Sequence, residues 1–299
     1  MKKWLLLPLV LVLVSVAAIY IFIPSSLQLS AIAYTHCPPS AAYRVLSNES
    51  AWDSWRRMSP HCAIIQKRYN SLDINLASSG EQPVSSKLDL LPLPNDSLIL
   101  HWQCSLPGGS DPFTRLLQYR KAVSLKKAMS SKLARIAGYL GDTKKVYGYA
   151  IQRSSTIDTL LVATKTVLSC YPLTPDTYRL IDALKNYTAA QGATQTGPPI
   201  MNVTPLDEHS FQLMVALPTN RRLPGNKDIF FRKMVPGAFM VGDVTGGDQS
   251  VVQALQQMRL YFDDYKKTSM AIPFAALITD RTKEPDTSRW LTRIYAPVY

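Results

Sequence analysis

The chain closes with Pro273-Phe274-Ala275-Ala276-Leu277-Ile278-Thr279-Asp280-Arg281 and, after a polar stretch that contains Pro285, with Trp290-Leu291-Thr292-Arg293-Ile294-Tyr295-Ala296-Pro297-Val298. Both runs are apolar and rich in residues that favour β-strands, so they predict a terminal hairpin with a long loop. Because side chains alternate between the two faces of a strand, Ala275 and Leu277 are expected on one face, and Phe274, Ala276 and Ile278 on the other.

The chain before this hairpin divides into two similar units. The first begins with a strand-like run, Tyr147–Cys170, which is broken near Ser154 and precedes a helix that opens at Thr174-Pro175-Asp176 and stops at Gly192. Apolar residues three and four apart support that helix, namely Tyr178, Leu180, Ile181, Leu184 and Tyr187. Two further strands are predicted, at Ile200–Val203 and Ser210–Leu217.

The second unit repeats the order of the first. Strands are predicted at Ile229–Met234 and Phe239–Val244, with Pro236-Gly237 as the turn between them. A helix follows Gly246-Gly247-Asp248, and we expect Asp248 to cap it while the glycines form the turn. The apolar positions of this helix are Val251, Val252, Leu255, Met258, Tyr261, Phe262 and Tyr265. The terminal hairpin completes the unit.

This duplicated strand-helix-strand-strand plan and the closing pattern resemble the GyrI-like effector-binding domains, small-molecule-sensing modules that are often fused to bacterial transcription regulators. The resemblance covers residues 143–299. It implies an α+β domain with a ligand cleft between its two halves. The ligand-binding residues that it implies in this sequence are Tyr149, Phe239, Phe274, Ala275, Leu277, Trp290, Arg293 and Tyr295.

The expected cleft departs from the family at the positions that carry chemistry. Some GyrI-like domains bind cations or hydrolyse small electrophiles with an acidic residue and a tyrosine on the first strand of the closing hairpin. Those positions hold Ala275 and Leu277 in this chain, and Arg293 stands where related sequences often have Glu. The resemblance therefore implies an apolar or mildly basic cleft, which takes neutral or anionic compounds and disfavours lipophilic cations.

Residues 27–142 predict a separate domain. Strands are expected at Leu27–Tyr34, Cys62–Tyr69, Leu72–Ala77, Ser85–Leu91 and Ser97–Cys104, and a long amphipathic helix at Asp111–Leu140. The order resembles the START-like, or SRPBCC, helix-grip fold, in which a curved antiparallel sheet wraps a long C-terminal helix. Cys37-Pro38-Pro39-Ser40-Ala41-Ala42-Tyr43 after the first strand and the segment Trp52-Asp53-Ser54-Trp55 carry this resemblance.

The segment 1–26 predicts a membrane anchor. Leu5 to Ile23 carry no charge over a length that is typical of a transmembrane helix, and Lys2 and Lys3 precede them. The sequence therefore predicts a bacterial inner-membrane protein with a single pass and both domains in the periplasm. Removal of the segment as a signal peptide, after Val16-Ala17-Ala18, is the alternative.

Composition and motifs reduce the number of functional classes that fit the sequence. The formal net charge of +12 invites a nucleic-acid partner, but no helix-turn-helix, zinc finger or RNA-binding signature accompanies it, so none is predicted. The sequence has no nucleophile-elbow, zinc-protease, P-loop or dinucleotide-binding motif. We therefore predict that the protein uses no cofactor and no metal. The four scattered cysteines, Cys37, Cys62, Cys104 and Cys170, are predicted to be thiols, with a bridge among the first three left open.

These observations favour a membrane-anchored, non-catalytic binder or sensor of an apolar small molecule. Two alternatives remain at this point: a hydrolase that acts on a small electrophilic compound in the GyrI-like cleft, and a scaffold in an envelope complex. The sequence does not name a protein partner.

Overall fold

A computed structural model of the chain describes residues 3–48, 61–77, 83–156, 159–234, 236–269 and 271–298. The chain divides into two compact units, residues 1–142 and residues 143–299. Each has its own antiparallel sheet and its own packed helices, so the chain is of mixed α+β class.

The first unit holds three helices and five strands among its described residues. They are α1 Lys3–Phe22, β1 Ser26–Thr35, α2 Pro39–Leu46, β2 His61–Arg68, β3 Ser71–Ala77, β4 Val84–Leu93, β5 Ser97–Pro107 and α3 Pro112–Leu140. The strands form one antiparallel sheet in the order β1-β5-β4-β3-β2, and α3 packs on β1 and β5.

The core of this unit lies between the sheet and the C-terminal half of α3. Leu133 and Ile136 of α3 are fully buried, as is Trp102 of β5, whose Nε1 donates to Ser86 Oγ at 3.0 Å. The N-terminal half of α3 behaves differently, because Phe113 is 80% exposed and Leu117 is 57% exposed. The predicted apolar face of this helix therefore becomes core only along its second half.

The membrane-anchor prediction is corrected by the structure. Across the described ranges of the chain, no helix combines the length and the apolar character that a membrane crossing needs. The prediction of a single-pass inner-membrane protein with periplasmic domains is therefore wrong. The end of α1 instead packs on its own unit: Ile23 is buried, Tyr20 Oη donates to the Ser110 carbonyl at 3.0 Å, and the Arg115 guanidinium lies 4.4 Å from the Tyr20 ring.

The START-like resemblance rests partly on residues 52–55, which lie outside the described residues. The remaining carrier, Cys37 to Tyr43, joins β1 to α2. The four cysteines are thiols, with Cys37, Cys62 and Cys104 buried and Cys170 exposed.

The second unit contains the predicted duplication. Its elements are α4 Thr143–Tyr147, β6 Gln152–Thr156, β7 Thr159–Leu168, α5 Thr174–Ala190, β8 Ile200–Pro205, β9 Phe211–Thr219, β10 Ile229–Met234, β11 Gly237–Thr245, α6 Asp248–Asp264, β12 Phe274–Leu277, a 3-10 turn Thr287–Arg289 and β13 Leu291–Val298. The predicted terminal hairpin is confirmed, because β12 and β13 pair antiparallel with Phe274 opposite Tyr295.

The eight strands in the described part of this unit form one sheet in the order β10-β7-β9-β8-β12-β13-β11-β6. Only residues 235 and 236 separate the end of β10, at one edge, from the start of β11, next to the other edge. Each residue spans at most about 3.6 Å, so a link this short requires the two ends of the sheet to approach each other. The sheet must therefore curl.

Both long helices cover the same, convex face of this sheet. α5 packs on β7 and β9, and α6 packs on β11 and β13. Ile181 and Leu184 of α5 and Val251 and Met258 of α6 are buried in the resulting core. The concave face, where the two halves meet, carries no helix of its own among the described elements, and it holds the candidate site.

Candidate functional site

A cavity of about 430 Å³ lies on the concave face and draws its walls from both halves of the sheet. Its volume falls in the range of pockets that hold small organic ligands. The first half contributes Leu161, Ala163, Ile200, Met201, Asn202, Met214, Ala216, Arg232 and Met234, and the second half contributes Pro236, Gly237, Ala238, Phe239, Ala271, Ile272, Phe274, Pro297 and Val298.

Strand alternation and small side chains create this space. Leu161 and Ala163 point to the concave face from β7, and Ala216 lies opposite Ala163 on β9. These three residues form a buried cluster against which Ile200, Phe230 and Met234 pack. Ala163 and Ala216 therefore line the cavity at positions where larger side chains would reduce its volume.

The predicted aromatic residues partly come together at one wall. Phe274 stacks on Tyr295 with ring centroids 4.9 Å apart and an interplanar angle of 10°. Phe239 meets Phe274 edge to face at 5.9 Å and Tyr295 at 6.0 Å. Phe239 and Phe274 line the cavity directly, and Tyr295, which stacks on Phe274, is not among the described lining residues.

Ala275 and Leu277 lie on the other face of β12. Ala275 pairs with Ile294, and Leu277 pairs with Thr292; all four are buried. This is the face that α6 covers on the neighbouring strand β13. Neither residue borders the 430 Å³ cavity, although Leu277 borders a separate space of about 390 Å³ together with Tyr178 and Asp280.

Arg293 forms an ion pair, so it does not add an unpaired positive charge to the cleft. It lies opposite Asp243 on β11, and its Nε and Nη2 donate to the two carboxylate oxygens at 2.6 and 2.8 Å. The hydrogen bond from Arg293 holds the pKa of Asp243 below its usual value, because it stabilises the ionised carboxylate. The pair is half exposed and lies beyond the cavity lining.

Trp290 and Tyr149 belong to other parts of the unit. The Trp290 indole donates to the Glu284 carbonyl at 2.8 Å and covers the Arg281 guanidinium at 4.8 Å. Tyr149 is buried beneath α6, where its hydroxyl donates to the Ala254 carbonyl at 2.7 Å. Burial raises the pKa of Tyr149 well above its ordinary value. Neither residue lines the cavity.

Asp248 differs from its predicted role as a helix cap. Gly247 occupies the N-cap position of α6 without a side-chain cap, and the Asp248 carboxylate pairs with the buried Arg281. Thr174, the first residue of α5, donates to the same carboxylate at 3.0 Å. The starts of the two duplicated helices are thus joined through one buried guanidinium.

Two polar side chains stand among the described residues that line the cavity. The amide of Asn202 is already engaged, because its Nδ2 donates to the Pro273 carbonyl at 2.8 Å and its Oδ1 accepts from Thr204 at 2.8 Å. Arg232, exposed at the rim, lies with its guanidinium 4.8 Å from the centre of the Phe230 ring. No carboxylate of a described residue lines the cavity.

The sequence did not identify Arg232, Ala163 or Ala216 as residues of the cavity wall. A lone arginine in a predicted strand is usually a solvated residue, and Ala163 and Ala216 are typical of ordinary core. One signal in the sequence could have identified Arg232. Strand alternation places Phe230, Arg232 and Met234 on the same face of β10. Within the described ranges, no group of three His, Cys, Asp or Glu residues could hold a metal ion.

No protein-family model matches the sequence, and no curated protein matches it. Among solved structures, the chain is similar to the EcmrR C-terminal domain, with 15% identity, a TM-score of 0.45, and coverage of 50% of this chain and 98% of that one. A structure of SAV2435 bound to tetraphenylphosphonium is similar over 50% of this chain and 93% of that one, at 14% identity and a TM-score of 0.34.

The aromatase/cyclase ZhuI from Streptomyces sp. R1128 is similar over 38% of this chain and 92% of that one, at 10% identity and a TM-score of 0.27. The structures of EcmrR and SAV2435 are of the GyrI-like kind, and their sequence identity to this chain is low.

Proposed function

We propose that the second unit binds an apolar small molecule in the cavity on its concave face and does no chemistry on it. The observation that carries this proposal is the composition of the cavity wall. Of its eighteen described lining residues, two have polar side chains, Asn202 and Arg232, and Asn202 is engaged within the protein. Such a wall favours a ligand by removing its apolar surface from water.

The side chains of the described lining residues favour binding over hydrolysis. The described lining residues include no Ser, Thr, Cys, His, Asp, Glu, Lys or Tyr. A hydrolase needs a nucleophile or a general base within hydrogen-bond reach of the reacting group. Tyr295, the predicted site residue that stacks on Phe274, is not among the described residues that line the cavity.

Binding can be tested with the full chain and the neutral fluorophore N-phenyl-1-naphthylamine. We expect saturable fluorescence enhancement at one site per chain. Ala216→Trp should abolish it, because an indole would fill the centre of the cavity, and Phe274→Ala should weaken it several-fold by removing an aromatic wall. Val167→Trp is the matched control, because Val167 is exposed on β7.

Circular dichroism of each variant separates loss of the site from loss of the fold. Unchanged binding in folded Ala216→Trp would overturn the proposal. Turnover of p-nitrophenyl acetate that Ala216→Trp abolishes and Val167→Trp keeps would instead favour hydrolysis in this cavity.

A further inference from the structure

The charge at the rim of the cavity indicates the class of ligand. Arg232 is the one charged residue among the described lining residues. It projects from β10 on the same face as Phe230 and Met234, which pack against the cavity floor of Leu161, Ala163 and Ala216. Its position is therefore tied to the cavity by its strand neighbours.

The geometry of Arg232 leaves its hydrogen-bond donors unused. The guanidinium lies 4.8 Å from the Phe230 ring centre, a distance typical of cation–π contacts. If the contact is made through the flat face, the five N–H groups in the guanidinium plane stay available. No described residue accepts a hydrogen bond from this side chain or forms an ion pair with it.

The residues that line the cavity favour an anionic ligand over a cationic one. A cation in the cavity would lose hydration without meeting a carboxylate on any described lining residue, and Arg232 would repel it. An anion at the rim would meet a guanidinium held in place by an aromatic ring. Arginine matches planar oxyanions with two parallel N–H donors, which strengthens the interaction and fixes the orientation.

We infer that the ligand is an amphiphilic anion: an apolar body that fills the cavity and a carboxylate, or a similar planar oxyanion, that binds Arg232 at the rim. This inference rests on the proposed function, since it names the class of compound that the same cavity takes. Arg232 sets the preference for charge, and the apolar wall supplies affinity that does not depend on charge.

Three fluorescent probes with one aromatic body test this assignment in the full chain. They are 9-anthracenecarboxylate, the neutral 9-anthracenemethanol and the cationic 9-(aminomethyl)anthracene. We expect the carboxylate to bind about tenfold more tightly than the alcohol at low ionic strength, and the ammonium compound to bind most weakly.

Arg232→Gln should remove the tenfold advantage of the carboxylate, so that the carboxylate and the alcohol bind this variant with similar affinities. Arg232→Lys should retain part of that advantage, because a lysine keeps the charge but not the forked donors. Lys233→Gln is the matched control: it removes a charge from the next residue of β10, on the other face, and should keep the full preference.

The outcomes separate the two proposals. If the alcohol binds and Ala216→Trp abolishes its binding, but Arg232→Gln leaves the preference for the carboxylate intact, the assignment of Arg232 is overturned while the apolar site stands. Equal affinities of the wild-type chain for the carboxylate and the alcohol would likewise overturn the assignment of Arg232 and leave the apolar site standing. If neither probe binds saturably, both proposals are overturned.

Discussion

Arg293 and Asp243 face each other across β13 and β11, joined by two nearly parallel hydrogen bonds of 2.6 and 2.8 Å. This pair changes the expected electrostatics of the cleft, because it cancels the charge that the sequence assigned to Arg293. The remaining positive charge among the described lining residues of the cavity is Arg232, on the opposite half of the sheet.

Asp243→Asn should destabilise the fold in a pH-dependent way. The pKa of Asp243 is lowered in the folded state, chiefly by the hydrogen bond from Arg293, so the pair stabilises the fold above the unfolded pKa near 4. That contribution is lost as the pH falls through the lowered folded pKa. Both side chains are over one-third exposed, so we expect a cost of about 0.5 kcal/mol at pH 7.

Urea denaturation of wild type and Asp243→Asn at pH 7 and pH 2.5 measures this effect. The difference in unfolding free energy should shrink at the lower pH and also in high salt. Glu208→Gln, a change of the same charge on the exposed turn between β8 and β9, is the control. A difference that grows on acidification would contradict the assignment.

Gly242→Ala should destabilise the second unit by about 1–3 kcal/mol, the usual cost of overpacking. A methyl group at this position would overlap the ring of Tyr149 and lie 3.0 Å from the Ala150 carbonyl oxygen. Tyr149 cannot move aside easily, because its hydroxyl is bonded to the Ala254 carbonyl beneath α6.

Gly237→Ala is the control for this change. Gly237 lies on the same strand, and a methyl group there meets no atom within 4 Å. Thermal unfolding followed by circular dichroism should therefore show a lower Tm for Gly242→Ala and little change for Gly237→Ala. Equal Tm values for the two variants would mean that Tyr149 does not pack as described.

The ion pair that joins the two duplicated helices predicts an asymmetry between its partners. The Arg281 side chain is 2% exposed, whereas that of Asp248 is 30% exposed. Asp248→Ala leaves a buried guanidinium without its carboxylate, which typically costs about 3–5 kcal/mol. Arg281→Met leaves a carboxylate that water can reach, and the apolar side chain still packs against Trp290.

We therefore expect Asp248→Ala to lower the unfolding free energy more than Arg281→Met does. Thr174 and Thr292 also hydrogen-bond Arg281, both with their hydroxyls, and soften the loss in the first variant. Denaturant titrations of both variants decide the order. A larger loss for Arg281→Met would show that the pair is more hydrated than its burial indicates.

The sequence predicted most elements of the second unit because their signals are local. The strand predicted at Ile229–Met234 has the bounds of β10, and the helix predicted to open at Thr174-Pro175-Asp176 begins at Thr174 as α5. Asp176 indeed accepts from the backbone of Leu173 at 3.2 Å, as a residue in the first helical turn can.

The side of the sheet that each residue faces was harder to predict. Alternation sorted Phe274 and Ala275 onto opposite faces of β12, but which face meets the helices depends on contacts far apart in sequence. The same limit hid Arg232, because its place in the cavity wall depends on the short link that brings the end of β10 close to the start of β11. The apolar character of residues 5–23 likewise did not reveal that Tyr20 and Ile23 pack on the first unit.

The division of the chain after Asp142 predicts that residues 143–299 fold alone. Thr143 belongs to this fragment, because its hydroxyl accepts from the Ile151 amide at 3.3 Å, and Tyr147 donates to Asp264 at 2.9 Å. A fragment of residues 152–299 is the matched comparison, since it lacks the buried Tyr147 and Tyr149.

We expect cooperative urea unfolding for residues 143–299 and a loss of several kcal/mol, or no folding, for residues 152–299. Trp290 is the one tryptophan in both fragments and reports the transition by its fluorescence. A non-cooperative transition of the longer fragment, when the full chain unfolds cooperatively, would show that the second unit needs the first.

The last prediction concerns the acid that the GyrI-like resemblance implies at position 275. Ala275 is 3% exposed and pairs with the buried Ile294, on the face of β12 opposite to Phe274. Ala275→Glu would place a carboxylate in an apolar core without a partner, so we expect a loss of several kcal/mol rather than a new cation site. Ile272 offers the contrast, because it lines the cavity and is 59% exposed.

Ile272→Glu should therefore fold normally and gain affinity for tetraphenylphosphonium, because its carboxylate would stand at the cavity rim and offset the charge of Arg232. Calorimetric titration of both variants with tetraphenylphosphonium, alongside their denaturation curves, makes the comparison. If Ala275→Glu kept the wild-type stability and bound the cation more tightly than Ile272→Glu, position 275 would face the ligand. The concave face would then not be the binding face of this sheet.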